Sequence, residues 1–262
     1  MPELPEVELY SRYFATHALR QPVVRARVLD ERILGEIRKS TFAERLRGRA
    51  FSSVQRHGKH LFADAGDDTW LHLHFGMTGD LTYYADAAED PRFARVVFDF
   101  EGGAHLAFED MRLFGVVDLT SSPAAFIAAH RLGPDPLDSR FRLRDFQQLV
   151  ANRRGAVKAL LMSQEILAGI GNLYADETLY EAGIHPRRAV SDLSADEVKK
   201  IYATMRKILA ETIRRKERGG DYPARSLIMH RDEDDRCPRC GGAIRKMVVF
   251  GRTTYYCSKH QK

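Results

Sequence analysis

CPRCGGAIRKMVVFGRTTYYCSKH, residues 237–260, separates Cys237 from Cys240 by two residues, then repeats that spacing in Cys257 and His260 after sixteen more. Two close donor pairs flanking a hairpin's length of chain suit tetrahedral Zn²⁺, with three thiolates and one imidazole as ligands. Four protein donors leave no open coordination position. One structural Zn²⁺ is therefore expected, its binding energy holding a hairpin too small to fold alone. Free thiols beside a surface histidine are the plain alternative. All three cysteines of the chain lie in this stretch, which excludes a disulfide framework. Arg252 falls within the hairpin, where a zinc-held turn can present its guanidinium to a phosphate.

The C-terminal part of the chain, hairpin included, is basic, and upstream of the hairpin it is helical. Residues 201–262 hold 15 Lys/Arg against 7 Asp/Glu, although the whole chain carries only +5. A basic tail on a near-neutral body suits a polyanion, and a solvated basic helix gives the same composition. Ser194 and Glu197 form a capping box that opens a helix with Ile201, Met205, Ile208 and Thr212 on one face. Before it, RDFQQLVANR, AVKALLMSQEIL and LYADETLYEAG read as helices, the last two joined by AGIGN. Gly169 and Gly171 bracket that turn, and Asn172 takes the N-cap position of the next helix, which directs several backbone amides outward toward an anion. Ordinary helix packing explains a Gly-rich turn equally well.

LGPDPL, residues 132–137, marks a boundary, because everything before it is mainly β. VVRARVL, SSVQRHGKHLFAD, TWLHLHFGMTGDLTYY, ARVVFDF, AHLAFED and FGVVDLT are short strand-like runs, separated by DDT, GD, AAEDPR and EGG. Such a series predicts an antiparallel sandwich or barrel. His72 and His74 alternate on one strand face, but no third ligand accompanies them, so no second metal is expected. With 262 residues and a hydrophobic fraction of 44%, the chain is long enough for two folded domains. No stretch approaches the roughly 20 apolar residues of a membrane span, and no signal peptide opens the chain, so a cytoplasmic, nucleoid-associated location is expected.

The chain begins MPELPEVELY. Pro5 is a good first-turn residue and Glu3, Glu6 and Glu8 complement the helix dipole, which leaves Pro2 unexplained. Removal of Met1 would make Pro2 a secondary α-amine with a reference pKa of about 8, against about 10.4 for lysine. Such an amine attacking a sugar C1′ forms an iminium that retains its positive charge and acts as an electron sink for elimination. Glu3 stands beside it and could move the protons. On these residues alone a helix start without chemistry remains open.

MPELPEVE, HFGMTGDL, EDMRLFG, LGPDPL, AVKALLMSQEILAGIGNLYADETLYEAGIHP and the terminal hairpin together resemble the formamidopyrimidine-DNA glycosylase and endonuclease VIII family of base-excision repair enzymes, in the family's order and over nearly the whole chain. The resemblance implies an α+β, two-domain protein. Its N-terminal antiparallel β-sandwich has flanking helices, and its C-terminal helix-two-turn-helix domain carries a zinc-finger β-hairpin, with DNA in the cleft between domains. The implied divisions are a catalytic domain over 1–131, a linker over 132–140, the helix-two-turn-helix domain over 141–220, a lesion-capping region over 221–236 and the zinc hairpin over 237–262. By the same resemblance Pro2 is the nucleophile and Glu3 the general acid/base, completing a catalytic set with the phosphate-holding Lys59 and Arg252. Glu6 belongs to the lesion pocket. His74, Lys158, Gly169, Gly171 and Asn172 contact DNA, and Met77, Arg112 and Phe114 fill the stack that an everted base leaves. The expected partner is damaged double-stranded DNA and the expected state a monomer.

Two features depart from the family pattern. His260 stands where the fourth ligand is usually cysteine, a change that zinc accepts. DYPARSLIMHRDEDDR, residues 221–236, is shorter than the loop that caps 8-oxoguanine, which predicts weaker selection of that base with the sugar chemistry intact. The expected activity is bifunctional: release of oxidised bases (formamidopyrimidines, hydantoins, 8-oxoguanine), then β,δ-elimination. An endonuclease VIII-like preference for oxidised pyrimidines and a non-catalytic damage binder are the alternatives.

Overall fold

Helix α1 (Leu4–Ala18) starts at Leu4 rather than at the expected Val7, because Glu3 and Glu6 close a reciprocal capping box and Pro5 sits in the first turn. Its buried stripe of Leu4, Val7, Phe14 and Ala18 faces the core, with Phe14 edge-on to Phe51 at 5.1 Å. The computed structural model describes residues 2–85, 90–232 and 235–262. Met1 lies outside them, as do parts of the AAEDPR turn (87–92) and of the capping region (221–236). The chain divides into two units, Met1–Arg131 and Leu132–Lys262.

The first unit is a sandwich rather than a closed barrel. Its strands are β1 (Val23–Val28), β2 (Ser53–His57), β3 (His60–Asp64), β4 (Trp70–His74), β5 (Gly79–Tyr84), β6 (Ala94–Phe100), β7 (His105–Asp110) and β8 (Val116–Thr120). They form two antiparallel sheets, β1-β6-β7-β5 and β2-β3-β4-β8. The run TWLHLHFGMTGDLTYY supplies a strand to each sheet, and the chain crosses over at Phe75–Thr78, ahead of the expected GD turn. Between the sheets lie Leu61, Leu71, Leu73, Phe75, Val96, Phe98, Leu106 and Phe108, all fully or nearly fully buried. Each such side chain contributes about 1.5–3 kcal/mol of burial free energy before entropy is subtracted. Two flanking helices had no periodic signal of their own: α2 (Lys39–Leu46) is short and strongly charged, and α3 (Pro123–Ala129) is seven residues long.

In the second unit α4 (Leu143–Val150), α5 (Val157–Met162), α6 (Asn172–Ala182) and α7 (Ala195–Glu217) precede the hairpin β9 (Ile244–Val249) and β10 (Arg252–Cys257). The Ser194–Glu197 capping box opens α7 as expected. Helix α5 stops at Met162, short of the expected Leu167. The Gln164 side chain takes over there, donating to the carbonyls of Met162 at 2.9 Å and Ile170 at 2.7 Å. Residues 132–140 are not a free linker but part of this unit. Gly133 N–H donates to Gln164 O at 2.8 Å, and a Cβ on Gly133 would sit 2.5 Å from the Ile166 carbonyl carbon.

Helix α3, capped by Ser122, lays Phe126 over His60 and His72 of the β2-β3-β4-β8 sheet. His60 Nδ1 and His72 Nε2 are 2.9 Å apart, and buried His72 Nδ1 has no partner among the described residues. Burial, then the neighbouring His74 and His130, hold His72 down to about 3. His60 is lowered for the same reasons, with His57 also facing it. Histidines depressed in this way bind fewer protons folded than unfolded. Their stabilisation is therefore full above about pH 6.5 and declines as pH falls toward the His72 value of about 3. His72→Leu is expected to flatten the acid dependence of unfolding free energy by up to about 1.4 kcal/mol per pH unit below pH 6. Urea titrations at stepped pH measure this, and parallel profiles for the two proteins would contradict it.

Candidate active site and nucleic-acid interface

Pro2 precedes the N-cap of α1 and is half-buried, while Glu3 is only 2% exposed. Glu3 N–H donates to Glu6 Oε2 at 3.0 Å, so the carboxylate expected in the lesion pocket also fixes the backbone beside Pro2. One turn later Glu8 accepts from Arg56 Nε on β2 at 2.9 Å, and Tyr10 stacks on Phe75 at 4.2 Å while donating to Gly79 O at 3.2 Å. Helix α1 is thereby pinned to the segment that follows β4. His74 ends β4 just before that segment, and its Nδ1 accepts from Gly76 N–H at 3.3 Å. Burial, then the Lys59 ammonium in the β2–β3 turn, holds His74 down to about 4, so the two expected phosphate ligands do lie near one another. A neutral His74 can donate a hydrogen bond to a phosphate without paying to bury a second charge.

Met77, Arg112 and Phe114 come together on two adjoining loops. Met77 is 41% and Phe114 53% exposed, and the Arg112 guanidinium stacks over the Phe114 ring at 4.8 Å. A buried carboxylate holds this arrangement. Asp110, with no exposure, accepts from Gly115 N–H at 2.6 Å, from Arg112 N–H at 3.0 Å and from the Thr78 hydroxyl. Gly76, at φ +55, presses against the Phe114–Gly115 peptide, where a Cβ would lie 2.3 Å from Phe114 C. Asp110 and Thr78 escaped the sequence reading. Their signal was an aspartate at a strand end followed by a glycine five residues on.

In the second unit the Gly169–Gly171 turn is shaped by Gln164, whose Oε1 accepts Gly169 N–H at 2.9 Å, so that amide is turned inward rather than offered to an anion. Gly171, not Asn172, is the N-cap of α6. Asn172 instead spans two elements, its Oδ1 accepting from Lys158 Nζ at 2.7 Å and its Nδ2 donating to Thr253 O at 3.0 Å. Lys158, expected among the DNA contacts, has no exposed surface. Its ammonium is consumed by Asp176 Oδ1 at 2.6 Å, Thr254 Oγ1 at 2.6 Å and Asn172. Lys158 therefore fastens β10 to α6 from within, and exposed Arg252 opens the strand so fastened. Asp176 also binds Arg231 at 3.0 Å and Tyr255 N–H at 3.2 Å.

The zinc donors converge as the spacing predicted. Cys237 Sγ and Cys240 Sγ each lie 3.5 Å from His260 Nδ1, and Cys240 Sγ lies 3.4 Å from Cys257 Sγ. His260 Nε2 bonds the Tyr180 carbonyl at 3.1 Å, which leaves Nδ1 as the ligand atom, while the Tyr180 hydroxyl bonds Cys237 Sγ at 3.2 Å. This closed Cys₃His set fits one structural Zn²⁺. Nearby, Glu177 on α6 accepts the amides of Leu227 at 3.3 Å and Ile228 at 2.9 Å within the capping region. Burial pushes its carboxyl up to about 7. Among the described residues no helix is long and apolar enough to cross a membrane.

Comparison with known proteins follows the same division. Residues 1–117 match the formamidopyrimidine-DNA glycosylase N-terminal domain, 132–222 its H2TH domain, and 234–259 the zinc finger found in FPG and IleRS. The chain is 35% identical to the formamidopyrimidine-DNA glycosylase of Streptococcus pyogenes over 274 residues, covering 100% of this chain and 99% of the relative. It superposes on the Lactococcus lactis Fpg bound to Fapy-dG DNA with TM-score 0.90 and 26% identity, covering 99% and 100% of the two chains. Against a MutM in complex with carbocyclic 8-oxo-G DNA the TM-score is 0.89 at 26% identity, with both chains covered completely. Sharing all three segments in order, and the fold from end to end, the chain belongs to the formamidopyrimidine-DNA glycosylase family.

Proposed function

We propose that this chain excises oxidised purines from duplex DNA, acting as a monomer associated with the nucleoid, through the α-amine of Pro2 freed by removal of Met1. The amine nitrogen bonds to C1′ as the glycosidic bond breaks and the base leaves with a proton. Glu3 delivers a proton to the ring oxygen as the sugar opens, giving the iminium. Loss of a C2′ proton expels the 3′ phosphate, and a second elimination expels the 5′ phosphate. Lys59, His74 and Arg252 hold the strand by its phosphates.

What carries this reading is the exposed trio Met77, Arg112 and Phe114, held on loops that a buried Asp110 shapes before any ligand arrives. Two exposed apolar side chains, one of them under a guanidinium, serve no core, and they suit the void left by an everted base. Purine specificity is supported by the relatives, whose solved complexes hold Fapy-dG and 8-oxo-G DNA. Within the purines, the short 221–236 region favours formamidopyrimidines over 8-oxoguanine.

Two outcomes test the proposal. Protein with a processed N-terminus is expected to give a covalent adduct with an abasic duplex under borohydride. Pro2→Gly should largely abolish it, and Glu3→Gln should slow base release by about 10²–10⁴-fold; wild-type trapping in the Pro2 variant would remove the nucleophile from the scheme. Asp110→Asn exchanges an acceptor for a donor beneath the loop. Its expected cost is about 1–3 kcal/mol in urea unfolding, with a larger fall in excision of a paired lesion than in cleavage of an abasic site. Equal losses on both substrates would argue against a role of this loop in filling the stack.

A further inference from the structure

The tip of the zinc hairpin carries a residue that neither packing nor turn chemistry explains. Phe250 and Gly251 form a two-residue loop between Val249 and Arg252, both with positive φ, +50 and +69. The first place in such a turn favours Asn, Asp or Gly, and a bulky aromatic there is held in a strained left-handed conformation. Phe250 is nevertheless 74% exposed, and Val248 beside it is 61% exposed, so burial within the fold does not compensate the strain. An aromatic side chain kept at such a position is expected to be covered by a partner.

The surroundings say what kind. Residues 237–262 contain six Lys/Arg and no Asp or Glu. The carbonyl of Val248 accepts from the Arg187 guanidinium at 3.0 Å, adding a further cation at the base of the tip. Arg252 follows two residues after Phe250, and the Thr253 carbonyl next to it is held by Asn172. The apolar tip is thus continuous with a polyanion-binding edge.

We propose that Phe250, with Val248 at its side, packs against the deoxyribose faces of duplex DNA adjoining the phosphate held by Arg252, so that one hairpin grips charge and apolar surface together. This rests on the reading of Arg252 as a phosphate ligand, and the test separates the two. Affinity for a duplex containing a tetrahydrofuran abasic analogue is measured against salt for the wild type, Phe250→Gly, Phe250→Tyr and Arg252→Gln. Phe250→Gly should bind about tenfold more weakly at every salt concentration with the same slope, because an apolar contact releases no counterion. Its melting temperature should hold or rise, since glycine suits the left-handed position. Phe250→Tyr should keep the affinity, and Arg252→Gln should lower the salt slope by about one. Wild-type affinity in Phe250→Gly alongside a reduced slope in Arg252→Gln overturns the Phe250 contact alone, whereas an unchanged slope in Arg252→Gln overturns the phosphate reading beneath it. Cosedimentation with phosphatidylglycerol vesicles that depends on Phe250 would assign the tip to a lipid surface instead.

Discussion

A single buried ammonium organises the second unit. Lys158 lies 2.6 Å from Asp176 with both side chains at most 1% exposed, and it also donates to Asn172 on α6 and Thr254 on β10. Removing two charges from water costs several kcal/mol per ion, which is recovered only when each retains well-placed partners. Here those partners are the elements that must be brought together. The ion pair thereby sets the strand that begins with Arg252 against the helix that begins with Asn172, and zinc sets the far end of the same hairpin through His260 and Tyr180. Each fastening leaves Arg252 in solvent and fixes the backbone around it.

The first unit uses the same device at smaller scale. Asp110 is a buried carboxylate whose acceptor positions are filled by the loop it shapes, and that loop exposes Met77, Arg112 and Phe114. Glu3 and Glu6 fix the start of α1 in a comparable way. In all three places a buried or half-buried charge is satisfied by backbone or side-chain donors rather than by solvent. The groups meant for a ligand are thus held ready before it binds, which lowers the ordering cost at that moment.

Much of this was legible in the chain itself, and the reasons differ by element. The zinc set could be read because ligand spacing is a local constraint, and the Ser194–Glu197 cap because its two hydrogen bonds close within four residues. The antiparallel strands of the first unit were readable from short runs punctuated by turns, which left sandwich and barrel open until the family resemblance was added, whereas α2 and α3 were not readable, being too short to show a period. The fate of Lys158 was hidden for a different reason. A lysine between alanine and valine near a Gly-rich turn reads as an exposed cation, and only the fold reveals Asp176 opposite it and Thr254 nearly a hundred residues on. Asn172 was misplaced by one residue for the same reason, its side chain being claimed by Lys158 and Thr253 instead of by its own helix.

Lys158→Met tests whether this ammonium acts as an interior fastening or as a hand on the DNA, because it keeps the side chain's length and removes its charge. Urea unfolding and the salt dependence of binding to an abasic-analogue duplex are measured on the same preparation. The fastening predicts a loss of about 3–5 kcal/mol in stability, since Asp176 is left buried without its nearest partner and β10 without its hydrogen bond from the ammonium, together with weakened binding. Unchanged stability with a salt slope reduced by about one would mean that the amine meets a phosphate directly, and would contradict the account.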